Sequence, residues 1–252
     1  MEQIQSINGQ NNEFIIILPQ GRIDCLASGN GKLSEIVSRA NISIIGNNNR
    51  VIMYFESEES AEEILLGGGF LLVVKGDNNV VTIGNLILRY SSVLGMTGLK
   101  LVVGQLPGLG AGVSRTANNC RVNIGNRVVI NGVLLYLQED NSSISIGDDS
   151  QLSWGVDVWC TDAHTITDLE GNPMNFAQSI EIGKHVWIGK DVKIGKNTKI
   201  SDDSIIGWGS IVTKKFEEPN VVLAGNPAKI VKRGINWNFR DIRNYQIYRE
   251  SL

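Results

Sequence analysis

An all-β solenoid, a chain wound into stacked rungs of very short parallel strands, is the fold class this sequence predicts. Ile182, Ile188, Ile194, Ile200, Ile206 and Val212 recur every six residues without a slip. The residue after each is small or turn-prone: Gly183, Gly189, Gly195, Ser201, Gly207 and Thr213. Two places before each next aliphatic stand Val186, Val192, Thr198, Ser204 and Ser210. A helix repeats at about 3.6 residues, and an ordinary strand alternates by two without pausing. Here two inward residues flank one outward residue and then the chain turns, which describes a short strand and a corner. A fixed hexapeptide period reads as a parallel β-helix. With three corners per coil, Ile182 stacks on Ile200, Ile188 on Ile206 and Ile194 on Val212, about 4.8 Å apart.

Taken in order, residues 1–40 read as an N-terminal cap. Phe14 to Leu18 forms a buried strand, and Lys32 to Arg39 a short helix after a turn at Gly29-Asn30-Gly31. A cap is expected because an open β-edge invites pairing with other chains. The coils are expected over 41–217, irregular at first. Ile42-Ser43-Ile44-Ile45-Gly46, Val80-Val81-Thr82-Ile83-Gly84, Val122-Asn123-Ile124-Gly125 and Ile144-Ser145-Ile146-Gly147 are alternating strands that end at glycine. Asparagine, which tolerates a left-handed corner, precedes or follows each of them. Glu56 to Glu63 reads as an exposed loop or helical turn, and Gly104 to Gly112, with Pro107, as a loop. The hexad re-forms at Ile146, Leu152 and Val158, then breaks over an excursion at 161–179 that contains Asp168-Leu169-Glu170-Gly171-Asn172-Pro173. Residues 218–252 read as a turn followed by a short C-terminal helix, packed on the last coil or on a neighbouring subunit.

Composition narrows the function classes. A net charge of −3 gives no reason to expect nucleic acid or an acidic membrane as a partner. The longest apolar runs fall far short of the ~18 residues that span a bilayer. Met1-Glu2-Gln3 does not open a signal peptide. Cys25, Cys120 and Cys160 are odd in number and scattered, which suggests reduced thiols with neither a metal spacing nor a disulfide framework. Together these predict a soluble cytoplasmic protein without a metal.

Three segments carry a resemblance. Val186-Trp187-Ile188-Gly189, then Ile206-Gly207-Trp208-Gly209-Ser210-Ile211-Val212-Thr213-Lys214, then Ala224-Gly225-Asn226-Pro227-Ala228-Lys229 resemble the hexapeptide-repeat acyltransferases. Within them the chain looks like the bacterial sugar and capsular polysaccharide O-acetyltransferases, over roughly Val122 to Arg233. The resemblance implies a left-handed parallel β-helix, a homotrimer with sites between subunits, and acetyl-CoA as donor. Left-handed crossovers are rare in general, so that hand comes from the family and not from the period.

The same resemblance points to site residues. O-acetyl transfer from a thioester needs a base for the sugar hydroxyl, and imidazole titrates near working pH. The family's catalytic histidine stands in a loop ahead of the Val-Trp-Ile-Gly segment, which His164 in Asp162-Ala163-His164-Thr165-Ile166 matches. Asp162 is a candidate to orient the imidazole, with Asp157 competing for that role and turn chemistry the plainer account. His185, at an outward corner, reads as a solvated residue. Trp187 occupies an outward position where polar residues are the norm, so it is expected at a ligand or a subunit contact. In the polysialic-acid type of the family the matching tryptophan lies beside the catalytic histidine. Gly189, Gly207, Gly209 and Ser210 would let a pantetheine arm approach the backbone, and Trp208 would line the same channel or fill a subunit contact. Lys214, Lys215, Lys229, Lys232 and Arg233 suit the phosphates of coenzyme A or form a solvated basic face. The resemblance lays Ala224, Gly225 and Pro227 along the coenzyme.

Three other functions compete: an N-acetyltransferase of an amino sugar or nucleotide sugar, a non-catalytic scaffold, and a zinc carbonic anhydrase. The last needs three histidines, and this sequence has 2.

Overall fold

The computed structural model describes residues 5–26, 31–67, 69–88, 98–105 and 115–251. Short parallel strands stack in the register the hexad spacing requires. Ile182 pairs with Ile200, Ile188 with Ile206 and Ile194 with Val212. Above them lie Ile146, Leu152 and Val158, again one on each side of the coil. All nine aliphatics are buried, so the core is a column of stacked side chains running down the coils. Burial of each is worth about 1.5–3 kcal/mol.

The regular coils continue into the irregular half. Phe14, Val51, Val81, Val122, Ile144 and Ile180 form one unbroken parallel ladder. On the adjoining side Ile7, Ile44, Val74 and Val103 form another. Both ladders run through residue 41 without a break, so residues 5–18 belong to the coils and not to a separate cap. The reason is a corner that the sequence carries twice. Gly9 and Asn11 take φ values of 118° and 55°, as Gly46 and Asn48 do with 124° and 55°. What closes the end is a hairpin, in which Gly21–Asp24 folds back antiparallel on Glu13–Leu18.

Two helices, α1 at Lys32–Arg39 and α2 at Glu58–Leu66, replace the third strand of the first two coils and contact each other. Of the exposed loop or helical turn expected for the acidic run, the helix is what forms. Ser57 and Ser60 form a reciprocal cap, Ser60 N donating to Ser57 Oγ at 3.2 Å and Ser57 N to Ser60 Oγ at 3.0 Å. Glu58 and Glu59 sit in the first turn, where the helix dipole favours them. Ala61, Ile64 and Leu65 share the buried face. The turn expected at Gly29-Asn30-Gly31 and the loop from Gly104 to Gly112 lie largely outside the described residues.

Asparagines hold the early corners together. Asn49 Nδ2 donates to Gly76 O at 2.8 Å and to Asn12 Oδ1 at 3.2 Å, while Asn49 Oδ1 accepts from the backbone N and side-chain Nδ2 of Asn79 at 3.1 and 3.0 Å. Asn79 in turn reaches Ala117 O and Cys120 N, both at 2.9 Å. A buried corner leaves backbone groups without strand partners, and these amides satisfy them.

At the far end α3, Ile242–Glu250, is capped by Asp241 and buries no residue against its own chain. It does not pack on the last coil. Among the described residues no helix is long and apolar enough to cross a membrane.

Candidate active site

The excursion leaves the coil at Cys160, at the end of strand Gln151–Trp159. Thr161 starts it with two bonds, its Oγ1 donating to Glu139 and accepting from Ala163 N. Ala163 then adopts φ 62°, a left-handed backbone unusual for a residue with a side chain. That kink turns the chain so that His164 N donates to Asp162 O at 2.7 Å. Asn175, from the returning limb, donates to His164 O at 2.8 Å. His164 is exposed and lines a cavity of about 420 Å³ with Arg115, Gln138, Glu139, Asn175 and Phe176.

Within one chain neither candidate carboxylate is bonded to this imidazole. Asp162 accepts from Lys196 Nζ at 2.6 Å and from Asn175 Nδ2 at 2.8 Å. Asp157 is paired with Lys193 at 2.7 Å on the wall of the coil. Asp162 therefore serves as a clamp that ties the excursion to the next coil, which turn chemistry alone would not have suggested. The bonds from Lys196 and Asn175 hold its carboxyl below the usual carboxylate range. A lowered folded-state pKa means the clamp's contribution is complete above the unfolded value of about 3.9 and is lost as pH falls through the folded one. Asp162→Asn is thus expected to lower the urea midpoint at neutral pH, with the gap to wild type closing towards pH 3. A gap that stayed constant over that range would rule out the clamp as the source.

Trp187 stands on a different side of the coil from the excursion. It is half-buried, and among the described residues its Nε1 is buried without an acceptor. Its ring lies 5.9 Å from Trp237, and no contact joins it to His164. Within one chain the two predicted partners are apart. His185 is more constrained than a solvated corner residue. At φ 52° its Nδ1 is 2.8 Å from Asp203 Oδ1, Trp237 stacks on its ring at 4.4 Å, and Trp237 Nε1 donates to its carbonyl at 2.7 Å.

The residues chosen for coenzyme contact divide into groups. Gly189, Gly207, Trp208, Gly209, Ala224 and Gly225 lie along one corner column of successive coils. A Cβ on Gly189 would stand 2.5 Å from Trp208 Cδ1, so glycine here seats the indole, which itself is 76% exposed. Ser210 is buried and bridges two coils, donating to Gly207 O at 2.6 Å and accepting from Gly225 N at 3.2 Å. That bond network makes it a tie within the fold and leaves its hydroxyl engaged. Pro227 sits at a cis bond in the turn of the closing hairpin, whose second strand, Ala228–Arg233, carries Lys229, Lys232 and Arg233. Arg233 is paired with Glu218 at 3.1 Å. Lys214 lies over the Phe216 ring at 5.3 Å, and Lys215 belongs to a strand on the third side of the coil. The basic residues therefore do not form one cluster.

Sequence reasoning missed Arg115, Gln138 and Asn175, because none falls in a periodic position, and Lys196, whose place in the hexad is an outward corner like those of Lys184 and Lys190. It also missed Trp237, read only as part of a terminal helix.

No family model matches the chain. Over 166 residues, 64% of this chain and 76% of the relative, it is 35% identical to a polysialic acid O-acetyltransferase of Neisseria meningitidis. The chain belongs to the hexapeptide-repeat acyltransferases. It is also 35% identical over 119 residues to a polysialic acid O-acetyltransferase of Escherichia coli O1:K1 / APEC, covering 46% of this chain and 38% of that one. The galactoside O-acetyltransferase of Escherichia coli (strain K12) is 33% identical over 108 residues, covering 41% and 53%. The chain thus spans about half the length, or less, of those two relatives. The crystal structure of the polySia-specific acetyltransferase NeuO aligns over 100% of both chains with a TM-score of 0.60 at 24% identity, which shows a shared fold.

Proposed function

We propose that this acyltransferase moves an acetyl group from acetyl-CoA to a hydroxyl of a sugar, in a capsular or other surface polysaccharide or its precursor. The observation that carries this reading is His164, an exposed imidazole at a kinked loop over a cavity that a sugar ring can enter. The imidazole takes the proton of the acceptor hydroxyl as that oxygen attacks the thioester carbonyl. The tetrahedral intermediate collapses, the C–S bond breaks, and the imidazolium returns the proton to the leaving thiolate. Acetylated sugar and free coenzyme A result. Relatives described as O-acetyltransferases of polysialic acid and of galactosides support the acceptor class.

In this reading the coils form a left-handed β-helix, the donor lies along the corner column of Gly189, Trp208 and Gly225, and Lys229 and Lys232 meet its phosphates. The active unit is a homotrimer, in which Trp187 of one subunit reaches the His164 loop of the next. The separation of the two residues within one chain supports a shared site. Three free buried thiols and an intracellular donor support the cytoplasm as its place of work.

The test is thiol release from acetyl-CoA by the purified protein against a panel of neutral and acidic glycans. Release that depends on one acceptor supports the reading. No release together with no coenzyme A binding by calorimetry rejects it.

A further inference from the structure

Arg115 enters the His164 cavity from a separate segment, 48 residues away along the chain from the carbonyl it holds. Its Nη1 donates to Ala163 O at 2.7 Å and to Gln138 Oε1 at 3.1 Å. Gln138 is only 8% exposed and is itself fixed, its Nε2 donating to Tyr136 OH at 2.9 Å. The guanidinium is thus held by a chain of part-buried bonds and is tied to the residue next to His164. Both protons of Nη1 are used. Among the described residues, Nε and Nη2 have no acceptor and no carboxylate lies within ion-pair reach. That free edge is the planar pair of donors that matches a carboxylate with two parallel bonds.

The rest of the cavity says how much charge it accepts. Glu139 is the acidic residue among its described lining, and its carboxylate is engaged by the Thr161 hydroxyl and by Ala177 N. Lys196, which reaches the loop from the next coil, is spent on Asp162. One unpaired cation suits a singly charged group, where a diphosphate would call for several. Phe176, on the same lining and 66% exposed, offers a ring face to a sugar.

We infer that the acceptor is an acidic sugar whose carboxylate is held by the Nε–Nη2 edge of Arg115 while its hydroxyl faces His164. This rests on the acyl-transfer reading for the role of His164, but the carboxylate contact is testable without turnover. Arg115 acts here as the residue that selects the acceptor.

The test is equilibrium binding, by calorimetry on the full chain, of short oligomers of sialic acid and of a uronic acid, each beside its carboxyl-reduced form. Wild type is expected to bind at least one acidic oligomer about tenfold or more tightly than its reduced counterpart. Arg115→Gln is expected to erase that difference. Arg115→Lys, which keeps the charge but not the fork, is expected to restore part of it, and His164→Ala to leave it intact. Undiminished discrimination in Arg115→Gln, or wild-type binding of no acidic oligomer, overturns the inference. Equal competition by a sugar phosphate would overturn the carboxylate assignment. Carboxylate-dependent binding in a protein that releases no thiol would reject acyl transfer and leave this contact standing.

Discussion

Replacing His164 by alanine is expected to lower kcat about 10³-fold, within the ~10²–10⁴ range for loss of a general base, while coenzyme A affinity changes less than about twofold. The glycine and tryptophan donor candidates lie on the corner column of the coils, and the imidazole projects from the excursion, where among the described residues no side-chain bond involves its ring. The loop's shape depends on backbone groups of residue 164, since Asn175 grips its carbonyl and Asp162 receives its N–H. Alanine keeps both. The variant should therefore retain the coil stack, and circular dichroism with coenzyme calorimetry would check this. A kcat within tenfold of wild type would remove His164 from the proton transfer, and another base would then be needed.

The second large effect is on stability. Asn49→Leu is expected to cost about 4 kcal/mol in urea unfolding, although the side chain keeps its size. Three buried partners lose their bond at once: Gly76 O, the backbone N of Asn79 and one proton of the Asn79 amide. Each unsatisfied buried group costs about 1–3 kcal/mol, and leucine offers nothing in exchange at a corner already tightly filled. A Cβ added to Gly76 would lie 2.1 Å from Ala117 O, which shows how closely successive corners approach. A loss below about 1 kcal/mol would mean that water enters the corner and takes over the bonds.

Seen from the residues, the strict hexad at Ile182 to Val212 was sufficient to predict its own register. A repeat of six with three corners leaves one arrangement in which every aliphatic stacks on an aliphatic. Register in the irregular half was legible too, but through glycine and asparagine corners and not through aliphatic spacing. The corner at Gly9 to Asn12 carries the same signal as that at Gly46 to Asn49 and went unread, so the first coil was mistaken for a cap. Of the two readings of the acidic run, exposed loop or helical turn, the helical one holds, because three buried apolar residues at helical spacing set its fold.

The chemistry was legible only in part. A sequence with 2 histidines and one break in a regular repeat directs attention to the His164 loop. Composition and period cannot say what surrounds that loop. A hexad specifies neighbours one coil apart on the same side, whereas the His164 cavity is assembled from Arg115, Gln138 and Asn175, at unequal intervals and on segments outside the repeat. Only the folded chain shows that Asp162 is spent on Lys196, that His185 is stacked under Trp237, and that Trp187 and His164 stand apart within one chain. The sequence by itself determined the coil, its core and the family's acyl-transfer segments, because those follow from local, repeated spacing. The tertiary structure decided which charged groups are already paired and which donors remain free at the base, because such pairing depends on contacts between irregular segments that no period records.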